Sequence, residues 1–204
     1  MKLYYLPGAC SLASHIVLEW IGRPYETQAL TREALKSPEF LKINPLGAVP
    51  ALVDGDLVLT QSAAILEYLA ESAPQTGLMG EDSPTARAET RRWLGLINSD
   101  LHRTFALVFG AQRYLDEPAA QEALRAGAAR QLRVIFGVLN DRLDGRNYLC
   151  GSRPTIADAY LYVVLRWAHG KSIDLSGYDP LAAFFKRMGA DLKVQAAVAA
   201  EGLS

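Results

Sequence analysis

The first part of the chain combines short apolar runs with one apolar repeat of helical spacing. Residues 2–5 have the pattern of a short buried strand, whereas apolar positions over residues 12–21 recur every three to four residues, as on the buried face of a helix. Gly22 follows this repeat, and glycine commonly ends a helix. Residues 25–30 predict a second strand, parallel to the first because a helix connects them.

The pattern then changes to a short helix, a hairpin and another helix. Ser37-Pro38 resembles the start of a helix that ends near residue 43. Asp54-Gly55 separates two apolar runs, 51–53 and 56–59, and this arrangement is typical of a β-hairpin. A helical pattern over 63–71 follows. The order β-α-β-α-β-β-α predicts a thioredoxin-like half with a mixed four-stranded sheet.

Strand patterns are absent from the second half. Residues 72–84 are rich in Pro, Gly, Ser, Asp and Thr, so we expect a thioredoxin-like domain over 1–77, a linker over 78–84 and an all-helical domain over 85–204. Apolar repeats predict helices over 85–111, 119–143, from Thr155 through about residue 167, 181–188 and 194–200. The predicted fold class is therefore α+β.

Composition narrows the classes of function. The 204 residues include 21 basic and 22 acidic side chains, and this balance disfavours nucleic acid as a partner. No apolar run approaches the roughly 20 residues of a membrane helix, and the N-terminus lacks a signal-peptide profile. The two cysteines, Cys10 and Cys150, form no CxxC pair. We expect a cytoplasmic protein with free thiols, no membrane association and no metal.

Cys10 is the first candidate for chemistry. It lies at the predicted start of a helix, where unpaired backbone N–H groups and the helix dipole favour a thiolate and lower the pKa of a thiol. We therefore expect a reactive sulfur at Cys10. The alternative is a small buried apolar residue that happens to follow a turn.

The N-terminal motif resembles a known family. Residues 2–12 read Lys-Leu-Tyr-Tyr-Leu-Pro-Gly-Ala-Cys-Ser-Leu, and His15-Ile16 follow. Together with Asn44-Pro45, Val49-Pro50, Leu101-His102 and the closing Glu-Gly-Leu, this pattern is similar to cytosolic glutathione transferases, and in detail to the bacterial beta class. The resemblance covers essentially the whole chain. It implies a homodimer that uses glutathione as co-substrate and transfers its thiol to small, largely apolar electrophiles.

The same resemblance implies roles for individual residues. Cys10 and His102 become the catalytic positions, the histidine acting on the glutathione thiol. Val49 would precede a cis proline and pair with the glutathione backbone as an added strand, while Ser62 would bind the γ-glutamyl carboxylate at a helix start. The implied glutathione-binding positions are Tyr5, Ser11, Val49, Pro50, Gln61, Ser62, Asp100 and Arg103.

Aromatic residues of the second half are candidates for the co-substrate pocket. Phe105, Phe109 and Trp167 could line an apolar pocket beside the sulfur, although aromatics at helical spacing are more often core residues. Two positions depart from the beta-class pattern. Gly95 stands where an asparagine is common, and the segment 31–36 offers no securely aligned counterpart of a lysine that contacts glutathione.

Two alternatives remain open at this point. Cys10 could form a mixed disulfide with glutathione and serve in thiol exchange, for which a cysteine of low pKa is suited. A non-catalytic member of the fold could instead bind apolar ligands or a protein partner. We assign Thr155 and Asp158 to helix capping and Cys150 to the core. The sequence does not name the electrophile.

Overall fold

A β-α-β unit opens the fold in the computed structural model, which describes residues 1–204. β1 (Lys2–Tyr5) leads to α1 (Ser11–Ile21), and β2 (Glu26–Ala29) follows. The helix ends at Gly22, whose φ of 71° is left-handed and whose N–H donates to Leu18 O. β1 and β2 are parallel, with Leu3 opposite Thr27. The predicted unit is confirmed.

The rest of the sheet forms as the turn signals predict. The next elements are α2 (Pro38–Ile43), β3 (Ala51–Asp54), β4 (Leu57–Thr60) and α3 (Ser62–Ser72). Ser37 caps α2, since its Oγ accepts a hydrogen bond from Phe40 N at 3.2 Å. β3 pairs antiparallel with both β1 and β4, which gives the order β2-β1-β3-β4. The mixed four-stranded sheet is therefore confirmed.

The second half contains only helices. They are α4 (Pro84–Gly95), α5 (His102–Gly110), α6 (Pro118–Leu143), α7 (Ile156–Gly170), α8 (Asp179–Gly189) and α9 (Leu192–Ala200). A capping box begins α7: Asp158 Oδ2 accepts from both the N–H and the hydroxyl of Thr155, each at 2.8 Å. None of the helices combines the length and apolarity required to cross a membrane.

The prediction of one continuous helix over 85–111 is wrong. Leu96–Leu101 is a π-helical segment between α4 and α5, and a 3₁₀ turn, Ala111–Arg113, follows α5. The N–H of His102 bonds to Ile97 O, five residues earlier, so one extra residue enters the turn. Apolar spacing does not reveal this insertion because the buried positions Ile97, Leu101 and Phe105 still recur every four residues.

α1 lies at the centre of the molecule. Every side chain from Ser11 to Leu18 is buried, because α1 packs against α3, α7 and α9 as well as the sheet. One continuous core joins β1 to the second half, and fully buried residues such as Leu3, Leu12 and Phe105 belong to it. Burying each such side chain contributes about 1.5 to 3 kcal/mol. The start of α1 thus lies where the two halves meet.

Candidate active site

A cavity of about 300 Å³ lies between the two halves at the start of α1. It is lined from the first half by Cys10, Asn44, Leu46, Ala48, Val49, Pro50, Gln61 and Ser62, and from the second by Asn98, His102, Arg103 and Ala106. The fold thus brings seven predicted site residues together: Cys10, Val49, Pro50, Gln61, Ser62, His102 and Arg103. The one permanently charged side chain in the lining is Arg103, so the cavity suits an anion.

Cys10 reaches this cavity from the loop Leu6–Ala9, which we call the cysteine loop. The residue lies at the N-cap of α1, and its thiol, 7% exposed, donates to Val49 O at 3.3 Å. Burial raises the pKa of this thiol to about 11, although Ser62 and the N–H groups at the helix start act in the opposite direction. The expected lowering of the pKa is wrong because removing the thiolate from water costs more than these donors return.

The segment before β3 is held by an asparagine side chain. Asn44 is buried, its Nδ2 donates to Ala48 O at 2.6 Å, and its Oδ1 accepts from Leu46 N at 3.1 Å. Gly47 has a φ of 58°, and a Cβ there would lie 2.8 Å from Leu35 O, so a side chain does not fit. The Val49-Pro50 peptide that follows is cis, as expected. Asn44 therefore fixes the wall that faces Cys10.

The N-terminus of α3 forms another wall. Gln61 precedes the helix with a φ of 73°, a conformation that costs a non-glycine residue of order 1–3 kcal/mol. No side chain caps this helix, so its first N–H groups are available to an anion. Ser62 is buried, and its hydroxyl acts to lower the pKa of the Cys10 thiol against the larger effect of burial. Backbone strain and unpaired donors thus coincide at the cavity.

His102 begins α5 and faces the cavity from the second half. Its Nδ1 lies 2.5 Å from the hydroxyl of Tyr160 on α7, and the edge of its ring meets Trp167 with centroids 5.1 Å apart. Burial, together with the charge of Arg103, lowers the pKa of His102 below 6.5. The imidazole is therefore neutral at pH 7, which leaves it free to accept a proton.

Three predicted glutathione-binding residues do not line the cavity. The hydroxyl of Tyr5 donates to Ala200 O at 3.4 Å, and Ser11 Oγ lies 3.3 Å from both the N and the O of Leu6. Ser11 thus holds the start of the cysteine loop at Leu6, whereas the hydroxyl of Tyr5 is bonded to the end of α9. Asp100 is exposed and accepts a hydrogen bond from Ser99.

The predicted pocket aromatics do not line the cavity either. Phe105 is fully buried, so it cannot touch a co-substrate, and it stacks on Phe109 with centroids 5.6 Å apart. Phe109 is 40% exposed and meets the ring of Trp167 at 5.5 Å. Phe109 and Trp167 therefore form an apolar surface beside His102, and buried Phe105 packs against both of them.

Sequence reasoning gave no site role to several residues that line the cavity or hold its side chains. Asn44, Asn98 and Ala106 line the cavity, and Tyr160 holds His102 from a helix 58 residues away in sequence. The four-residue spacing of Asn98, His102 and Ala106 was the one local signal for these positions.

The two departures from the family pattern lie outside the cavity lining. Gly95 has open space around its Cα, and Lys36 is exposed in the 3₁₀ turn Ala34–Lys36. No group of three or more His, Cys, Asp and Glu side chains is arranged to hold a metal ion.

Comparison with known proteins agrees with this geometry. Residues 1–71 match the glutathione S-transferase N-terminal domain, and residues 99–191 match the C-terminal domain. The chain belongs to the glutathione S-transferase family. Like its relatives, this transferase uses glutathione as co-substrate.

The similarity extends over the full length of the transferase. It is 50% identical to glutathione S-transferase GST-4.5 of Xanthomonas campestris over 100% of both chains. The solved glutathione S-transferase of Xylella fastidiosa superposes with a TM-score of 0.97 at 48% identity, covering 100% of this chain and 99% of that one. A beta-class enzyme of Sphingomonas chungbukensis gives 0.89 at 33% identity over 100% of both chains. The predicted family resemblance is confirmed.

Proposed function

We propose that this transferase binds glutathione in the cavity between its halves and transfers the glutathione sulfur to a small apolar electrophile. The observation that supports this proposal is the convergence of Cys10, the Val49-Pro50 wall, the open N-terminus of α3 and neutral His102 around one cavity. The unpaired N–H groups of α3 suit the γ-glutamyl carboxylate, and Arg103 suits the glycyl one.

The raised pKa of Cys10 favours conjugation by the glutathione sulfur itself. A thiol with a pKa of about 11 stays protonated at neutral pH, so Cys10 is a hydrogen-bond donor and not a nucleophile. In the proposed step, neutral His102 accepts the proton of the bound glutathione thiol, the new bond forms between that sulfur and an electrophilic carbon, and the leaving group departs with its electron pair. Phe109 and Trp167 provide the apolar surface on which the electrophile lies.

Exchange through a mixed disulfide with Cys10 is the second candidate. It is favoured by one observation, namely that Cys10 lines the cavity to which we assign glutathione. Cys10→Ala distinguishes the two chemistries: conjugation would persist, while reduction of glutathione mixed disulfides would stop. Loss of both activities in a folded variant would contradict this division.

We also propose a cytoplasmic homodimer in which each chain divides into domains 1–77 and 85–204. Asp100, which is exposed and lies three residues before the cavity residue Arg103, would then reach the glutathione amine of the partner. Sedimentation equilibrium should give a mass twice that of the single chain, whose mass is 22.3 kDa.

The direct test is calorimetric titration with glutathione, followed by conjugation to a chlorodinitrobenzene. We expect saturable binding and turnover, and the matched variants Arg103→Ala and Arg113→Ala should separate a cavity cation from one that lies outside the cavity. Arg103→Ala should raise the glutathione KM about 5-fold, as for loss of one charge-assisted hydrogen bond, while Arg113→Ala should not. A folded dimer that binds no glutathione would instead favour a non-catalytic protein that holds apolar ligands or a protein partner.

A further inference from the structure

The cysteine loop is bonded on both sides to the second half of the chain. Gly8 N–H donates to Glu201 Oε2 at 2.9 Å, and Gly8 O accepts from Trp167 Nε1 at 2.8 Å. Gly8 itself has a φ of 72° and lies against the side chain of Leu203. Both polar backbone groups at the middle of this loop are therefore held by side chains of the helical half.

Glu201 connects the cysteine loop to α1, the helix that follows this loop. Its carboxylate is fully buried, and Oε1 lies 3.1 Å from His15 Nδ1 on α1 while Oε2 accepts from Gly8. One carboxylate just past the end of α9 thus binds the loop before Cys10 and the helix after it. Losing either contact would leave a buried polar group without a partner.

Trp167 connects the same loop to the other side of the cavity. Its indole N–H holds Gly8 O, while its ring packs against His102 at 5.1 Å and Phe109 at 5.5 Å. The position of the Trp167 side chain therefore sets the position of Cys10 relative to His102 across the cavity.

We propose that Trp167 and Glu201 are positioning residues that hold the cysteine loop against the second half and thereby control the exposure and reactivity of the Cys10 thiol. Without these bonds the loop opens locally, the thiol becomes accessible, and its alignment with His102 is lost. Only the catalytic consequence rests on the proposed function; the control of thiol exposure does not.

Alkylation of the two cysteines tests the proposal without any substrate. Cys10 and Cys150 are both 7% exposed, so the ratio of their iodoacetamide labelling rates, measured by peptide mass spectrometry, reports local opening at Cys10. Trp167→Phe keeps the aromatic ring and removes the donor. We expect the ratio to rise about 5-fold, as for loss of one hydrogen bond of ordinary net strength.

Trp93→Phe is the matched control because it removes another buried indole donor, to Glu89 at 3.2 Å, far from the loop. Because Glu89 lines the cavity beside Cys150, the labelling rate of Cys10 itself is compared in this variant, and it should stay at the wild-type value. An unchanged ratio in Trp167→Phe, or an equal rise in the labelling of both thiols, would overturn the proposal, since the first shows no local opening and the second shows general loosening.

Glu201→Gln provides a rescue test on the other side of Gly8. Its amide oxygen can still accept from Gly8 N–H and its NH₂ can donate to His15, so the labelling ratio should stay within about 2-fold of wild type, whereas Glu201→Ala should raise it.

In turnover assays, kcat/KM should fall about 10-fold in Trp167→Phe and remain unchanged in Trp93→Phe, because small displacements of reacting groups are costly. If wild type shows no transfer activity, the proposed function fails, while the labelling ratio still decides the role of the loop.

Discussion

The two cysteines lie in regions that resemble each other in burial and differ in what surrounds the sulfur. Both thiols are 7% exposed, burial raises both pKa values, and each borders a cavity. The cavity at Cys150 is the larger, about 550 Å³ against about 300 Å³. Cavity size and thiol burial therefore do not distinguish the site from the core.

The distinction lies in which polar groups lack partners. Near Cys150, Arg142 donates to Leu149 O at 2.9 Å and lies 3.7 Å from Glu89, and buried Asp158 accepts three hydrogen bonds. Near Cys10, by contrast, the N-terminus of α3 has no capping side chain, so its first N–H groups are without a side-chain partner. Polar groups left free at the junction of two halves are the ones that a ligand can satisfy.

Removing Asp158 should produce the largest effect on the Cys150 region. Asp158→Ala leaves Thr155 N–H, its hydroxyl and Leu149 N–H without their acceptor in the core, so the free energy of unfolding should fall by about 3 kcal/mol. Urea denaturation measures this change. Asp144→Ala, at an exposed position, should change stability by less than about 0.5 kcal/mol, and an equal effect of the two substitutions would contradict the structural role.

The pH dependence of alkylation sharpens the comparison at Cys10. Because the pKa is about 11 and the ordinary value is 9.0, the thiolate fraction at pH 8 should be about 100-fold below that of a free thiol. The labelling rate should therefore rise about tenfold per pH unit between pH 7 and pH 8, where the thiol is protonated both in the buried state and in a locally opened one. A plateau between pH 7 and pH 9, measured on the Cys10 peptide, would show an activated thiolate instead.

Substitution of His102 should show that transfer activity depends on the Cys10 region and not on the Cys150 region. His102→Ala should lower kcat/KM about 100-fold through loss of a proton acceptor, at the low end of general-base effects. Since burial lowers the pKa of His102, the loss of wild-type kcat/KM from protonation of this ring should begin at a lower pH than for a water-exposed histidine. His169→Ala, remote from the cavity, is the control, and a similar loss in both variants would argue against the assignment.

A backbone substitution gives the smallest expected effect. Gln61→Gly removes the strain of a positive φ at the start of α3, but glycine also raises the conformational entropy of the unfolded chain. The two effects oppose each other, so the free energy of unfolding should stay the same or rise by up to about 1 kcal/mol, as measured by thermal unfolding. The KM for glutathione should rise, because a glycine at this position no longer holds the N-terminus of α3 in its binding conformation. Lower stability in Gln61→Gly would show that the conformation is not strained.

Local signals account for most of what the sequence predicted correctly. Gly22, the Asp54-Gly55 turn and the Thr155 to Asp158 capping box each act within four residues, and each ends or begins an element as expected. The family motif in turn identified the cavity residues Cys10 and His102. Such signals do not depend on the rest of the fold.

The remaining features arise from contacts between distant residues. The pKa of Cys10 depends on burial by elements that the cysteine loop does not contain, so the helix-start effect alone gave the wrong sign. The π-helical turn before His102 keeps the apolar spacing of an ordinary helix. Tyr160 contacts His102 across 58 residues, and no pattern along the chain marks that pair.

The bond between Gly8 and Glu201 has a consequence for synthesis of the protein. The two residues are 193 positions apart. At about 5 to 20 residues per second, Gly8 is added to the chain roughly 10 to 40 s before its partner is made. During that time the nascent chain carries Cys10 without the carboxylate that holds its loop. The geometry around this sulfur is therefore completed only after Glu201 has been added to the chain.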